Sequence, residues 1–460
     1  MISKQTQKAA SYIFAILAMV LGSIILVAFA QGYRYDFLTG QIKESGLVLI
    51  DSKPGSSDIY INGKRTKGST PLRLTNAAVG PMNVEIARPE FRIWKKSFIV
   101  RAQQVSFADY AILLPQKLSY TSYLPEYKMS ELVQPTKQRR SYAITTKPEV
   151  AVWRLDNNQN PTKLYAPPPN SGSDTELSGL TPSIDGSRLL VTQRIGTTVT
   201  RIVITDQDAS LNLTANLQID GGTLSFNPVN SNELYWLNPG GLLRKVNIQN
   251  QTIGPIIAQG VLAFRPDGNR LFAVLAPNAD YTTNTLWNID AGSNRKTRIM
   301  AEIPQGAGGY SIDLGKPRTG DYLAVLSNAT KELLIIRDFD QDEPLTGFLS
   351  RTATAFSIST NGERIIYNAG NKLKTYDIEQ AERFDFGVDI TNLQGWRWYN
   401  DDHIVVVANN QLRFIDYDGQ NDQILSDRGD SVTASTLHSN DKDILYISAS
   451  GLKTVRLTQD

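Results

Sequence analysis

Two histidines, His403 and His438, are the only imidazole side chains in this 460-residue sequence, which contains no cysteine. A histidine-based zinc site or catalytic triad would therefore have to use one or both of them. Both stand near the start of a strand-like segment in consecutive repeats of the sequence, where turn and surface positions are commonest. We therefore predict no catalytic role for either histidine. The lack of cysteine also excludes thiol catalysis, cysteine-ligated zinc and disulfides.

Asp338, Asp340 and Asp342 alternate as the first ligands of a calcium-binding loop do. Glu343, however, occupies the place where such a loop needs glycine, and no glutamate follows at the twelfth position. We therefore interpret this segment as a solvated turn between repeats. The motifs of serine hydrolases, P-loops and dinucleotide-binding loops are also absent from the sequence. We predict no catalytic residue, no metal site and no cofactor.

Gly395–Tyr399, which reads GWRWY, is the densest aromatic patch of the sequence. On a strand, Trp396 and Trp398 share one face. Arg397 and Tyr399 then share the other. The two tryptophans are a candidate surface for stacking on a sugar or for binding a partner. The alternative, which we favour, is packing between adjacent units of the repeat, because tryptophan is usually buried.

Lys64, Arg65 and Lys67 form a basic cluster beside a predicted hairpin and are a second candidate binding surface. The chain through Lys147 carries 20 Lys and Arg against 9 Asp and Glu, a net charge of +11, whereas the remainder carries −9. Anionic headgroups or wall polymers would suit such a basic front half, and a merely solvated surface is the alternative. The basic residues follow no nucleic-acid-binding motif, so a nucleic-acid partner is not predicted.

These cations belong to a stretch of closely spaced turns between residues 51 and 74. Asn62-Gly63 is the strongest hairpin signal, because both residue types tolerate the positive φ of a type I′ turn. Short alternating runs surround it, and no segment from Gly46 to Leu114 has a helical period. The sequence predicts a small all-β module here.

The module resembles the PEGA domain, a compact β-sandwich of exported and membrane-anchored proteins of bacteria and archaea. The family's name describes a Pro-Glu-Gly-Ala motif, but here Gly55-Ser56-Ser57 follows the proline. The resemblance implies a structural or surface-binding module, and no catalytic residue carries over from it. The matching residues are the turn formers and strand residues Gly46, Pro54, Ile59-Tyr60-Ile61-Asn62-Gly63-Lys64, Gly68-x-Thr70-Pro71-Leu72, Gly80, Phe91 and Trp94.

Tyr12–Ala30 is an uninterrupted stretch of 19 uncharged, mostly apolar residues. A helix of that length is about 28 Å long, against about 30 Å for the hydrocarbon core of a bilayer. Lys4 and Lys8 precede it, so we predict a single membrane span with a cytoplasmic tail and an exported remainder. Cleavage by signal peptidase after Ala30 is the alternative.

Seven pairs of apolar residues recur in the second part of the chain, each opening a strand and each followed by a second strand. They begin at Leu189, Leu234, Leu271, Leu323, Ile365, Ile404 and Ile444, at intervals of 45, 37, 52, 42, 39 and 40 residues. Aspartates close five of the second strands, namely Asp206, Asp290, Asp338, Asp377 and Asp416. A multi-strand repeat of this period is typical of a β-propeller, whose ring buries both faces of every blade.

The repeats resemble those of TolB-like and WD-repeat-like propellers, although the histidine and Trp-Asp hallmarks of true WD repeats are absent. Counting back to Tyr142 gives eight blades, with seven if the first unit pairs with the last. Because an open ring would leave unpaired strand edges, we expect residues within Leu118–Leu155 to hydrogen-bond beside Gly451–Leu457.

The predicted fold class is therefore all-β: a transmembrane helix, a PEGA-like sandwich and a propeller. The predicted domains are a tail (1–10), an anchor (11–31), the module (45–115), a linker with the first propeller strand (116–140) and the propeller (141–460). We predict a non-catalytic scaffold or binder of a cell-envelope polymer or protein at the membrane surface. The alternative is a propeller enzyme, a hydrolase or lyase acting on polysaccharide or peptide.

Overall fold

The computed structural model describes residues 4–30, 33–36, 41–124, 126–134, 140–156, 161–169, 174–205, 209–304, 309–387, 392–437 and 442–457. The chain divides into two compact units, one ending at Lys117 and the other spanning Leu118–Leu457. The first holds a helix and two small sheets, and the second holds the repeats.

Helix α1 spans Lys4–Ala30, 27 residues that correspond to a length of about 40 Å. The large apolar side chains from Tyr12 to Val27 are 50–74% exposed. Among the described residues, no helix combines the length and the hydropathy that a membrane crossing requires.

The small module consists of two four-stranded sheets, which agrees with the predicted sandwich. One sheet has the order β1-β2-β5, with β8 parallel to β2, and the other has the order β4-β3-β6-β7. One core forms between them, because Ile50 and Ile59, from the two sheets, belong to the same buried cluster as Trp94. The strands are β1 (Tyr33–Asp36), β2 (Gln41–Lys53), β3 (Asp58–Ile61), β4 (Lys64–Ser69), β5 (Leu72–Ala78), β6 (Gly80–Ala87), β7 (Trp94–Val100) and β8 (Val105–Ile112).

The predicted hairpin turn is confirmed. Asn62 and Gly63 join β3 to β4 with φ values of 48° and 78°, and positive φ at both central residues defines a type I′ turn. The Asn62 side chain also accepts a hydrogen bond from the Asn83 amide at 2.9 Å, which ties the turn to the module. Strand β2 begins earlier than expected, at Gln41 instead of Gly46, because its first four residues pair with β1.

Eight four-stranded antiparallel sheets, the blades, are present in the described part of residues 118–457. The first strand of each blade is its inner strand, because in most neighbouring blades the first strands lie against each other. Blades one to four contain β10 (Lys128–Val133), β11 (Arg140–Lys147), β12 (Ala151–Asp156), β13 (Thr162–Tyr165), β14 (Thr175–Pro182), β15 (Arg188–Ile195), β16 (Thr198–Thr205), β17 (Ser210–Asn212), β18 (Thr223–Asn227), β19 (Asn230–Leu237), β20 (Leu243–Asn247), β21 (Thr252–Ala258), β22 (Val261–Asp267), β23 (Arg270–Leu275), β24 (Asn284–Asp290) and β25 (Lys296–Ile303).

Blades five to eight continue the same order of strands. Their strands are β26 (Tyr310–Gly315), β27 (Tyr322–Ser327), β28 (Leu333–Arg337), β29 (Leu345–Ser350), β30 (Ala353–Ile358), β31 (Arg364–Ala369), β32 (Lys372–Asp377), β33 (Glu382–Asp385), β34 (Leu393–Trp398), β35 (His403–Ala408), β36 (Gln411–Asp416), β37 (Gln423–Ile424), β38 (Val432–Leu437), β39 (Asp443–Ser448) and β40 (Gly451–Arg456), with β9 (Ser119–Tyr123) as the fourth strand of blade eight. A short helix, α2 (Leu213–Leu217), follows blade two and is capped by Asn212.

The ring closes as the sequence predicts. β9 pairs antiparallel with β40, in a register that runs from Ser119 opposite Arg456 to Tyr123 opposite Leu452. Leu452 and Tyr123 also pack with Leu132 of blade one in one apolar cluster. The segment before the first blade therefore supplies the strand that the last repeat lacks.

Tyrosine hydroxyls join three pairs of neighbouring blades. Each tyrosine stands on the second strand of one blade and donates to the carbonyl oxygen of a glycine in the next blade, between its first and second strands. The pairs are Tyr142 with Gly186 at 2.7 Å, Tyr235 with Gly268 at 3.2 Å, and Tyr322 with Gly362 at 2.9 Å. Gly362 has a φ of 78°, and a Cβ there would lie 2.5 Å from the backbone nitrogen of Lys316, so the blades approach closely only because this residue is glycine.

Candidate functional site

The basic cluster of the module lies on β4, an edge strand that hydrogen-bonds to β3 alone among the described strands. Lys64, Arg65 and Lys67 are all exposed. Arg65 contacts the Asp58 carboxylate at 2.6 Å, and this hydrogen bond raises the pKa of the guanidinium. Among the described residues, neither Lys64 nor Lys67 has an ionic partner. The strand therefore presents two uncompensated ammonium groups to solvent.

The two tryptophans of the aromatic patch lie at the boundary of blades six and seven. Trp396 and Trp398 stand on β34, and each indole N–H donates to Ser357 of β30, to Oγ at 3.0 Å and to the carbonyl oxygen at 3.4 Å respectively. Trp398 is only 8% exposed, and Trp396 is half-buried. This geometry is the inter-blade packing that was the favoured interpretation, and a binding role for the pair stays a prediction.

Polar side chains occupy one equivalent position of the inner strands. In six blades this inner-strand residue pairs with the third residue of the second strand. Because the two strands pair in the same register in all six blades, the six residues lie at corresponding points of the ring. We call these residues the inner belt: Thr181, Arg265, Asp313, Ser357, Arg397 and Thr436.

Two carboxylates of the inner strands, Asp313 and Glu131, already have partners. Asp313 of the belt accepts a hydrogen bond from Arg265 Nε at 2.9 Å, so blades four and five are joined by an ion pair. The Glu131 carboxylate on β10 accepts hydrogen bonds from the backbone N–H groups of Gly179 and Leu180, each at 2.8 Å. Both carboxylates are thus engaged in contacts that join neighbouring blades.

None of the six belt residues was a candidate site residue in the sequence interpretation, and Arg397 is the one whose surroundings are unusual. It lies on the face of β34 opposite Trp396 and Trp398, and burial lowers the pKa of its guanidinium. Among the described residues, no carboxylate or other hydrogen-bond acceptor pairs with it. The one signal in the sequence was a cation between two tryptophans, and that pattern is equally typical of an exposed, solvated arginine.

His403 is part of the framework of blade seven. Only 1% of it is exposed, so the expectation that it lies at a turn or surface position is wrong. Its Nε2 lies 3.4 Å from Asp416 Oδ1, and its ring stacks on Phe414. Arg364 and Asp377 form the corresponding pair in blade six, at 3.2 Å. His438 lies outside the described residues.

The same pairing explains aspartates of the sequence repeat. The strand that such an aspartate closes, the second of the sequence repeat, is the third strand of a blade. In these blades its last residue stands opposite the first residue of the blade's second strand. Asp377 and Asp416 therefore meet a basic side chain, and in blade eight the order is reversed, with Asp443 opposite Arg456. In these three blades the charge has a structural role at the end of the hairpin.

Asp338, Asp340 and Asp342 lie in an exposed turn between β28 and β29. The turn lies inside blade five, so the prediction that it lies between repeats is wrong. The prediction that it is exposed to solvent is confirmed. In the described part of the chain, no group of three or more His, Asp or Glu residues is arranged to hold a metal ion.

Glu363 is the described carboxyl group whose pKa is raised. Burial is the main cause, and the nearby Glu379 adds to it. Glu363 follows the turn between β30 and β31, and Asn361 donates to its Oε2 at 2.6 Å. It lies beyond the inner strand, and its neighbour Arg364 is committed to Asp377 and Asp402. The site therefore has the character of a charged network between blades.

Comparisons with known proteins agree with the two predicted folds. Residues 45–112 match the PEGA domain. The second unit resembles the C-terminal WD40 domain of Sif2, with a TM-score of 0.51 and 11% identity over 74% of this chain and 99% of that one. An oligogalacturonate lyase solved with manganese matches with a TM-score of 0.44 and 12% identity over 75% and 98% of the two chains. Sqt1 of Saccharomyces cerevisiae matches with a TM-score of 0.49 and 11% identity over 75% and 100%.

At such identities the likeness concerns the fold alone. Searching the curated proteins gives no match to the chain.

Proposed function

We infer that this protein is a membrane-anchored, extracytoplasmic binder of anionic cell-envelope polymers and that it is not an enzyme. The observation that carries the proposal is the basic edge strand β4. Its lysines, Lys64 and Lys67, are exposed and have no ionic partner among the described residues. Both ammonium groups are exposed on this edge strand and are accessible to an anionic chain.

The chemistry of β4 suits a repeating polyanion. Lysine is a strongly hydrated point charge on a flexible stem, so it follows a polymer whose charges are not held in fixed positions. Such contacts gain affinity mainly through long-range attraction and weaken as salt screens the charges over about 10 Å at 0.1 M. Arg65 contributes less, because Asp58 already compensates its charge.

The paired carboxylates of the inner strands favour binding over catalysis. Asp313 is paired with Arg265, and Glu131 is held by two backbone amides. A general acid with a raised pKa beside a free carboxylate would have supported the alternative, a hydrolase or lyase. Propellers serve both enzymes and scaffolds, so the fold itself does not decide between them.

Membrane anchoring rests on α1 and on the sequence. Tyr12–Ala30 lacks any charge, and the apolar side chains between Tyr12 and Val27 face outward, 50–74% exposed. Exposed apolar surface of this extent is costly in water and is favourable in a lipid phase. The preceding Lys4 and Lys8 would keep the amino terminus in the cytoplasm.

The test is sedimentation of the detergent-solubilised full chain with cell walls that carry anionic polymers, at 50 and 300 mM NaCl. We expect Lys64→Gln with Lys67→Gln to weaken binding several-fold and to reduce its salt dependence. The matched control is Lys95→Gln with Lys163→Gln, which removes the same charge from lysines already paired at 3.0 Å with Glu85 and Glu149. Equal loss in both double variants, or wild-type binding after the β4 change, would refute the proposal.

A further inference from the structure

Two arginines occupy the same position of the inner belt in different blades. Arg265 of blade four pairs with Phe272, and Arg397 of blade seven pairs with Val405, each the third residue of its second strand. The two side chains therefore leave their strands at corresponding points and on the face directed to the next blade. What differs is the belt residue that the next blade offers.

For Arg265 the next belt residue is Asp313, whose Oδ1 lies 2.9 Å from the arginine Nε. For Arg397 the next belt residue is Thr436 of blade eight. Threonine offers a hydroxyl group in place of a carboxylate, so no described residue supplies Arg397 with the counter-charge that Arg265 has. Within the inner belt, Arg265 thus has a carboxylate partner, whereas Arg397 has none among the described residues.

Thr436 is itself unsatisfied. It is 1% exposed, and its Oγ1 has no hydrogen-bond partner among the described residues. A buried hydroxyl without a partner is unfavourable, and so is a guanidinium withdrawn from water without a counter-charge. The donor-only guanidinium and the hydroxyl, on the adjacent inner strands β34 and β38, both lack an acceptor.

We propose that the propeller binds a carboxylate group at Arg397, between blades seven and eight, in the place that corresponds to Asp313 beside Arg265. The guanidinium presents a planar fork that matches the two oxygens of a carboxylate, and Thr436 can donate from its hydroxyl. The ligand class is an organic acid or the acidic unit of a uronic-acid polymer. The site is separate from β4, and its existence does not depend on what β4 binds or on where the protein resides.

The experiment measures the affinity of the full chain for acetate, glucuronate and inorganic phosphate by calorimetry at constant ionic strength. We expect saturable binding of both carboxylates, and a loss of at least about tenfold in Arg397→Gln, the factor that charge-assisted hydrogen bonds provide. Arg265→Gln is the control, since it removes an equivalent cation that is already paired, and it should bind as the wild type does. Tighter binding of glucuronate than of acetate would identify the uronic acid as the source, and the reverse order would identify a simple organic acid.

Thr436→Asp supplies the missing carboxylate from the protein itself and should abolish binding of acetate. If that variant does not fold, Arg397→Lys replaces it: the charge stays, the fork is lost, and affinity should fall several-fold. In chloride buffer without ligand, Arg397→Gln should also melt at a higher temperature than the wild type, because a partly buried charge with no ionic partner among the described residues is removed. Undiminished acetate binding in Arg397→Gln, or phosphate bound more tightly than either carboxylate, would overturn the proposal.

Discussion

Asp185 is a turn residue whose ionisation affects the stability of one blade at low pH. It lies between β14 and β15 and accepts hydrogen bonds from the hydroxyls of Ser183 and Ser187 at 2.7 and 2.9 Å. Burial alone would raise the pKa of its carboxyl group, but these bonds, with one from Ser231 of blade three, outweigh burial and lower the pKa to about 2. The charged form is therefore the one that the folded turn favours.

The lowered pKa predicts a specific dependence on pH. A carboxyl group with a depressed pKa in the fold contributes stability above its unfolded pKa of about 3.9 and loses it as the pH falls towards 2. Asp185→Asn should therefore lower the urea midpoint of the propeller at pH 7, and the difference from wild type should shrink between pH 4 and pH 2. Glu176→Gln, an exposed carboxylate on neighbouring β14, is the control and should show no such convergence. A difference that widens on acidification would contradict the assignment.

At the scale of residues, the sequence could predict some roles and not others. The positive φ of Asn62 and Gly63 is a local property of two adjacent residues, so the turn was predictable. The role of Arg397 depends on Thr436, 39 positions later, and on the register of two hairpins that bring them to adjacent inner strands. His403 was misplaced for the same reason, because its burial follows from the partner that Asp416 provides across the strand pair.

At the scale of elements, the pairing of β9 with β40 determines whether the ring is closed. Deleting residues 451–460 removes β40 and leaves both β9 and β39 with an unpaired edge. We expect cooperative unfolding of the whole propeller at a lower temperature, measured by calorimetry, because each blade buries its faces against its neighbours. Deleting residues 458–460 alone keeps β40 and should leave the transition unchanged. Full thermal stability in the longer deletion would show that the closing pair does not support the ring.

The number of blades was predictable because each repeat has its own apolar strand start, such as Leu234 and Leu323. The inter-blade tyrosines were not. Tyr235 and Tyr322 look in the sequence like ordinary strand residues, and their partners Gly268 and Gly362 are turn formers in any case. Only the contact between blades shows that the hydroxyl of one repeat satisfies a carbonyl of the next.

At the scale of the whole molecule, the proposed topology has a direct test. Protease added to intact cells should digest the propeller, since Lys4 and Lys8 would hold only the tail inside. A cytoplasmic marker protein that stays intact is the control for cell integrity. If the residues after Tyr33 were protected from the protease, the orientation would be the reverse of the one proposed. A soluble product that lacks residues 1–30 would show cleavage after Ala30 in place of anchoring.

Closure of the ring also depends on the time that passes between synthesis of its first and last strands. Thr121 of β9 and Thr454 of β40 face each other although 333 positions separate them along the chain. At about 5–20 residues per second, a ribosome takes about 15–70 s to make the intervening segment. Throughout that time β9 has no strand to pair with, and seven blades can stack while the eighth cannot be completed. The ring therefore cannot close before the last blade has been synthesised.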